Sequence, residues 1–196
     1  ADSNSAVGRN ALAANTTGAQ NTAVGRAALG ANTTASDNTA VGAFALDANT
    51  TGNSNVAVGK SALTTATTAN DNTAVGYYGL AALTTGAGNV AVGKDAGQLI
   101  TTGNYNVAIG LDSLESVTTG ADNTAVGYYA LQANTASGNT AFGRSAMAAN
   151  TSGEGNAGFG YQSLDANTTG DNNTACGYQS LTDVTTGGNN TAVGKS

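Results

Sequence analysis

Asn-Thr-Ala-Val-Gly stands at residues 21–25 and again at 38–42, and the 17-residue spacing runs on through the chain. The Asn that opens the motif is Asn4, Asn21, Asn38, Asn55, Asn72, Asn89, Asn106, Asn123, Asn139, Asn156, Asn173 and Asn190. Ten of the eleven intervals are 17 residues, and Asn123 to Asn139 is 16. A fixed short period constrains the fold more than composition does, because residues in register occupy equivalent environments stacked along one axis. A unit this short cannot bury a face alone, so each copy must pack on its neighbours.

With the Asn as repeat position 1, each position reads as a column. Position 5 is Gly in every copy, position 3 is Ala except at Gly158, and position 4 is Val or Ile except at Phe142, Phe159 and Cys176. Position 9 is Leu except at Gly97 and Met147. Position 13 is Thr in every full copy, from Thr16 to Thr185, and position 14 is Thr except at Ala136 and Ser152. Seventeen residues accommodate two short strands and two turns, and are too few for a helical hairpin. The absence of Pro, the abundance of Thr, Val and Asn, and Gly at fixed offsets favour strands and tight turns. The expected fold is therefore all-β, a repetitive parallel β-solenoid with one 17-residue repeat per coil. Stacking at about 4.8 Å makes eleven to twelve coils a rod of roughly 55 Å. The chain reads as one uncapped repeat domain, 1–196, of about eleven and a half coils, and is expected to be a segment of a longer fibrous protein.

Alternation along a strand assigns faces. The aliphatic position 4 is expected inside the coil, at Val24, Val41, Val58, Val75, Val92, Ile109, Val126 and Val193. The position 9 residues Leu29, Leu46, Leu63, Leu114, Leu131, Leu164 and Leu181 join them. Cys176, the only cysteine, then replaces a buried Val and cannot form an internal disulfide. Position 3 would face outward. Its restriction to Ala at Ala23, Ala40, Ala57, Ala74, Ala91, Ala108 and Ala125 suggests contact with another copy of the chain, or else a tight bend that only a small residue fits. Position 1 shares that side, where an Asn column can form an amide ladder or bond the turn backbone. The one-residue deletion before Asn139 is expected to shorten a turn and leave the strands in register, since a slip would reverse every later side chain.

The chain has no His, which removes the usual catalytic triads and imidazole metal sites. No paired carboxylates, phosphate loop or nucleophile–base pair stands out, so neither catalysis nor a cofactor is expected. A net charge of −6 opposes nonspecific nucleic-acid binding, and no apolar run reaches membrane-spanning length. The frequent Asn-x-Thr triplets are written by the repeat and are weak glycosylation signals.

All six basic residues fall in position 6: Arg9, Arg26, Lys60, Lys94, Arg144 and Lys195. Tyr77, Tyr128, Tyr161 and Tyr178 share the column, and the acids lie at positions 7, 10, 11, 16 and 17. The file Arg9, Arg26, Lys60, Tyr77, Lys94, Tyr128, Arg144, Tyr161 and Tyr178 is the candidate surface-binding stripe, suited to anionic glycans or an acidic surface. Its plainer role is to cover the corner after Gly and pair with acids of a neighbouring coil or subunit. The Thr columns suggest ice binding as an alternative function, although adjacent positions 13 and 14 cannot both face outward from one strand.

The sequences NVAVG (55–59) and NVAIG (106–110) resemble the core motif of the head repeats of trimeric autotransporter adhesins. NTAVGYYALQANT (123–135) is even more similar to the 17-residue arrays of tail-fibre-type proteins of phages and bacteria. The resemblance covers the whole chain. It implies a left-handed β-roll, a parallel homotrimer or other fibre assembly, and an extracellular place on a cell or virion surface. The implied function is that of a structural or adhesive fibre segment, with host receptors or surface glycans as partners.

Overall fold

A computed structural model describes residues 2–195. The chain coils into a β-solenoid with a single sheet of three-residue strands: β1 (Ser5–Val7), β2 (Thr22–Val24), β3 (Thr39–Val41), β4 (Val56–Val58), β5 (Thr73–Val75), β6 (Val90–Val92), β7 (Val107–Ile109), β8 (Thr124–Val126), β9 (Thr140–Phe142), β10 (Ala157–Phe159), β11 (Thr174–Cys176) and β12 (Thr191–Val193). Each strand pairs in parallel with the next in chain order, and position 3 pairs with position 3, as Ala23 with Ala40. Each coil therefore has one strand where two were expected, and its remaining length is turn.

Those turns are still bonded from coil to coil. Positions 7, 9 and 17 adopt the left-handed conformation, as at Ala27 (φ 57°), Leu29 (φ 50°) and Asp37 (φ 62°). Their N–H groups bond neighbouring coils: Ala27 to Arg9 O at 2.9 Å, Leu29 to Ala45 O at 3.0 Å and Asp37 to Ala19 O at 3.1 Å. A left-handed non-glycine residue costs roughly 1 kcal/mol or more. At position 9 that cost is offset by burial of the Leu side chain, complete from Leu29 to Leu164 and partial at Leu12 and Leu181.

The interior lies opposite to the side expected from the strands. Ala23, Ala40, Ala57, Ala74, Ala91, Ala108 and Ala125 are buried inside the coil, so the Ala column makes no subunit contact. Val24, Val41, Val75, Val92 and Ile109 face outward at 37–38 % exposure. Val58 and Val126 are half-buried on that same outward face, Val193 is exposed, and Cys176 is an exposed free thiol. The reason is the thinness of the coil. Position 3 packs against the Leu wall of position 9, and only a small side chain fits between them. Gly158 supports this account. A Cβ there would lie 3.0 Å from Cγ of Met147, the one Met in the position 9 column, so the larger residue stands against the smaller.

Position 1 is buried with position 3, and its amides form a continuous ladder. Asn38 Oδ1 accepts the Asn55 backbone N–H at 2.9 Å and Asn55 Nδ2 at 3.1 Å, while Asn55 Nδ2 also donates to Ala69 O at 2.8 Å. A second buried ladder runs through position 12, with Asn32 donating to Asn15 Oδ1 and Asn49 to Asn32 Oδ1. It gives way to Ala66, Leu83, Ile100 and Val117, which are buried and apolar, and resumes with Asn134, Asn150 and Asn167. At position 9, Gly97 keeps the left-handed turn without a side chain, and Ile100 reaches within 3.0 Å of where a Cβ would stand.

The short coil keeps register, Thr124 pairing with Thr140 across the deletion. Ala136 O accepts from Asn123 Nδ2 and Asn134 Nδ2, both at 2.9 Å, which is the work of position 15 in other coils. Thr135 retains the position 13 bond to Thr151 O. The missing residue is thus position 14, an exposed Thr or Ser elsewhere, as at Thr119, Ser152 and Thr169.

Candidate functional site: the strand face and its two charged edges

Three-residue strands place positions 2 and 4 on one outward face that runs along the rod. Its position 4 file is Val and Ile up to β8, then the stacked pair Phe142 and Phe159, whose ring centroids lie 5.6 Å apart. Position 2 contributes half-buried Thr22, Thr39 and Thr73, with Val56, Val90 and Val107 among them. β-Branched side chains suit a pleated, half-buried surface, so one strand can carry Ala inward and Val outward.

The position 6 stripe borders this face on the C-terminal side of the strands. Gly at position 5, with φ between 129° and 139°, turns the chain into it. A Cβ at Gly25 would come within 2.5 Å of Gly42 O, so only glycine fits where successive coils approach this closely. Arg9, Arg26, Lys60, Tyr77, Lys94, Arg144 and Tyr178 are exposed, and Tyr128 and Tyr161 are half-buried. The cations lie chiefly against rings and not against acids. Arg26 lies 4.4 Å from the Phe44 ring centroid, Lys60 5.5 Å from Tyr77, and Arg144 5.7 Å from both Tyr128 and Tyr161. Tyr161 stacks on Tyr178 at 5.1 Å. Among the described residues one ion pair forms, Lys94 Nζ to Asp95 Oδ2 at 2.8 Å, and the hydrogen bond and charge of Asp95 raise the lysine pKa. The structure thus brings the stripe together as one file, packed on aromatic residues of positions 6 and 7.

The opposite border is the acidic turn before each strand. There Gly138 and Gly155 carry no side chain at position 17, and an open depression of about 370 Å³ results. It is lined by Asp122, Ser137, Gly138, Glu154, Gly155, Asp171 and Asn172. The chain's sequence shows the acids at this edge, whereas the depression depends on adjacent coils both lacking a side chain there.

The Thr columns diverge. Position 13 hydroxyls donate to the position 13 carbonyl of the next coil, as Thr33 to Thr50 O at 3.0 Å and Thr151 to Thr168 O at 2.9 Å. Position 14 hydroxyls stand exposed, leaving a single free file. Most Asn-x-Thr triplets open on a ladder Asn of position 12, such as Asn32, Asn49 or Asn167, whose amide is buried and bonded. Among the described residues no group of three or more His, Cys, Asp or Glu is placed to hold a metal ion, and no helix is long and apolar enough to cross a membrane.

Comparison with protein-family models, with curated proteins and with solved structures finds no match for this chain.

Proposed function

We propose that this chain is a shaft segment of a fibre exposed on a cell or virion surface, assembled from parallel copies as a homotrimer, and that it performs no chemistry. The observation that carries this reading is the strand face. Twelve parallel strands present an outward apolar file to one side, at about one coil spacing, and no described residue covers it. A second and third copy of the same chain have the matching period and the matching apolar face. The repetition also supports a mechanical or multivalent role, because every coil offers nearly the same surface. An active site requires one irregular, preorganised place. Weak contacts repeated along a rod gain avidity by being linked.

Surface glycans or host receptors are the proposed external partners, met through the position 6 side chains that a neighbouring copy leaves uncovered, chiefly the exposed rings of Tyr77 and Tyr178. Ice binding through the Thr columns has less support, because only the position 14 hydroxyls stand free. Sedimentation tests the assembly reading. A concentration-dependent oligomer that Val75→Asp or Val92→Asp disrupts, with the circular dichroism of the coil retained, is expected. A monomer at every concentration would remove it.

A further inference from the structure

The strand face is flanked by files of opposite charge. On the side after the strands stand all six bases, Arg9, Arg26, Lys60, Lys94, Arg144 and Lys195, each exposed. On the side before them stand Asp2, Asp37, Asp71, Asp122, Glu154 and Asp171, also exposed. Within one chain the strand separates the two files, and only Lys94 has an acid partner among the described residues.

Their levels along the rod correspond. Arg9 and Asp2 belong to the coil of β1. Asp37, before β3, lies between the levels of Arg26 and Lys60, which follow β2 and β4. Lys94 after β6 is one coil from Asp71 before β5, and Lys195 after β12 is one coil from Asp171 before β11. Arg144, after β9, falls between Asp122 before β8 and Glu154 before β10. A coil is about 4.8 Å high, within the reach of a Lys or Arg side chain. Arg144 is also level with the depression at Gly138 and Gly155, which lies before β9 and β10.

We propose that the basic edge of one chain docks on the acidic edge of a parallel, in-register second copy, with Arg144 seated in the depression at Gly138 and Gly155. The proposal rests on the reading that copies pack through the strand face, and it adds their orientation and register. Two copies that share the strand face in parallel bring a basic edge against an acidic one. Antiparallel copies bring like charge against like. The edges therefore select against the wrong orientation as well as for the right one. The rings of Tyr128 and Tyr161 flank the Arg144 guanidinium and hold it at the edge.

Paired cysteines test this directly. In a Cys176→Val background, Gly138→Cys and Arg144→Cys are introduced together. Six residues apart across an extended strand, they are too distant to bridge within one chain. Reaction of the dilute chain with a bismaleimide crosslinker about as long as the arginine side chain that it replaces is expected to give covalent oligomers, and high salt during the reaction to suppress them. Separately, Arg144→Glu should weaken self-association about tenfold, and Glu154→Arg combined with Asp171→Arg should recover much of it. Self-association that persists without the crosslink, and is indifferent to Arg144→Glu, would overturn the edge-to-edge docking and leave strand-face packing intact. A chain that stays monomeric before any substitution would overturn both.

Discussion

Asn55 Oδ1 accepts both the backbone N–H of Asn72, at 3.0 Å, and its Nδ2, at 3.2 Å. One side chain thus satisfies two donors of the next coil, while Asn72 Nδ2 bonds Gly86 O at 3.0 Å. Asn72→Leu would leave the Asn89 N–H and the Gly86 carbonyl without these partners in a buried place. Each lost partner costs about 1–3 kcal/mol. The variant should unfold at a clearly lower denaturant concentration, and amide exchange should quicken first in the coils on either side of Asn72.

The position 5 column makes a sharper test of backbone packing. A Cβ at Gly76 would sit on the carbonyl oxygen of Gly93, whereas at Gly194, with φ 132°, nothing lies within 4 Å. Both sites penalise alanine for its φ, but only Gly76 adds a collision. Gly76→Ala is expected to break the stack, and Gly194→Ala to cost only the backbone term, about 1–3 kcal/mol. Equal effects would show that backbone conformation alone explains the column.

Loop length at position 14 should be tolerant. The coil of β8 already lacks that residue and holds its register. Removing one Thr from the Thr118–Thr119 pair is expected to shift stability by about 1 kcal/mol or less, as for exposed surface changes. Removing Ala125 from β8 instead would reverse the side chains beyond it, and that chain should not give a cooperative melt.

At position 12 the two kinds of core predict opposite signs. Asn167 Oδ1 is buried without a partner, and the next residue in its column is Val184. Val184→Asn should supply an Nδ2 donor and raise stability by about 1 kcal/mol. Leu83→Asn places an amide between Ala66 and Ile100, where the column has none to meet it, and should destabilise by several kcal/mol. Parallel denaturant curves for the two variants measure both.

Acid should not weaken the coil through its shifted carboxylates. Burial raises the pKa of Asp47 and Asp165, and at Asp112 burial comes first, with the charges of Glu115 and Asp95 adding to it. A pKa raised in the folded state means that the folded chain binds protons more readily. The contribution of these groups to stability therefore increases as pH falls through their raised values towards the ordinary 3.8. Asp47→Asn with Asp165→Asn should flatten the rise of the thermal midpoint on acidification. An undiminished rise would assign it to other groups.

The period alone determined the solenoid, the single repeat per coil, the buried Leu column and the shortened turn before Asn139, because stacking demands that residues in register share one environment. The gathering of every base into one file was also legible, since columns become files in any such rod. What the tertiary structure decided is which way the strand faces. Hydrophobicity favours Val24 inside and Ala23 outside, but a coil only one side chain thick must put the Ala column against the Leu column. The amide ladder from Asn21 to Asn38 also needs a buried position to bond without competition from water. Valine is left to the surface, where it forms the face between the charged edges. The pair Gly138 and Gly155 is legible as consecutive members of one column, but the depth of the depression beside Asp122 is set by how the turns around it fold.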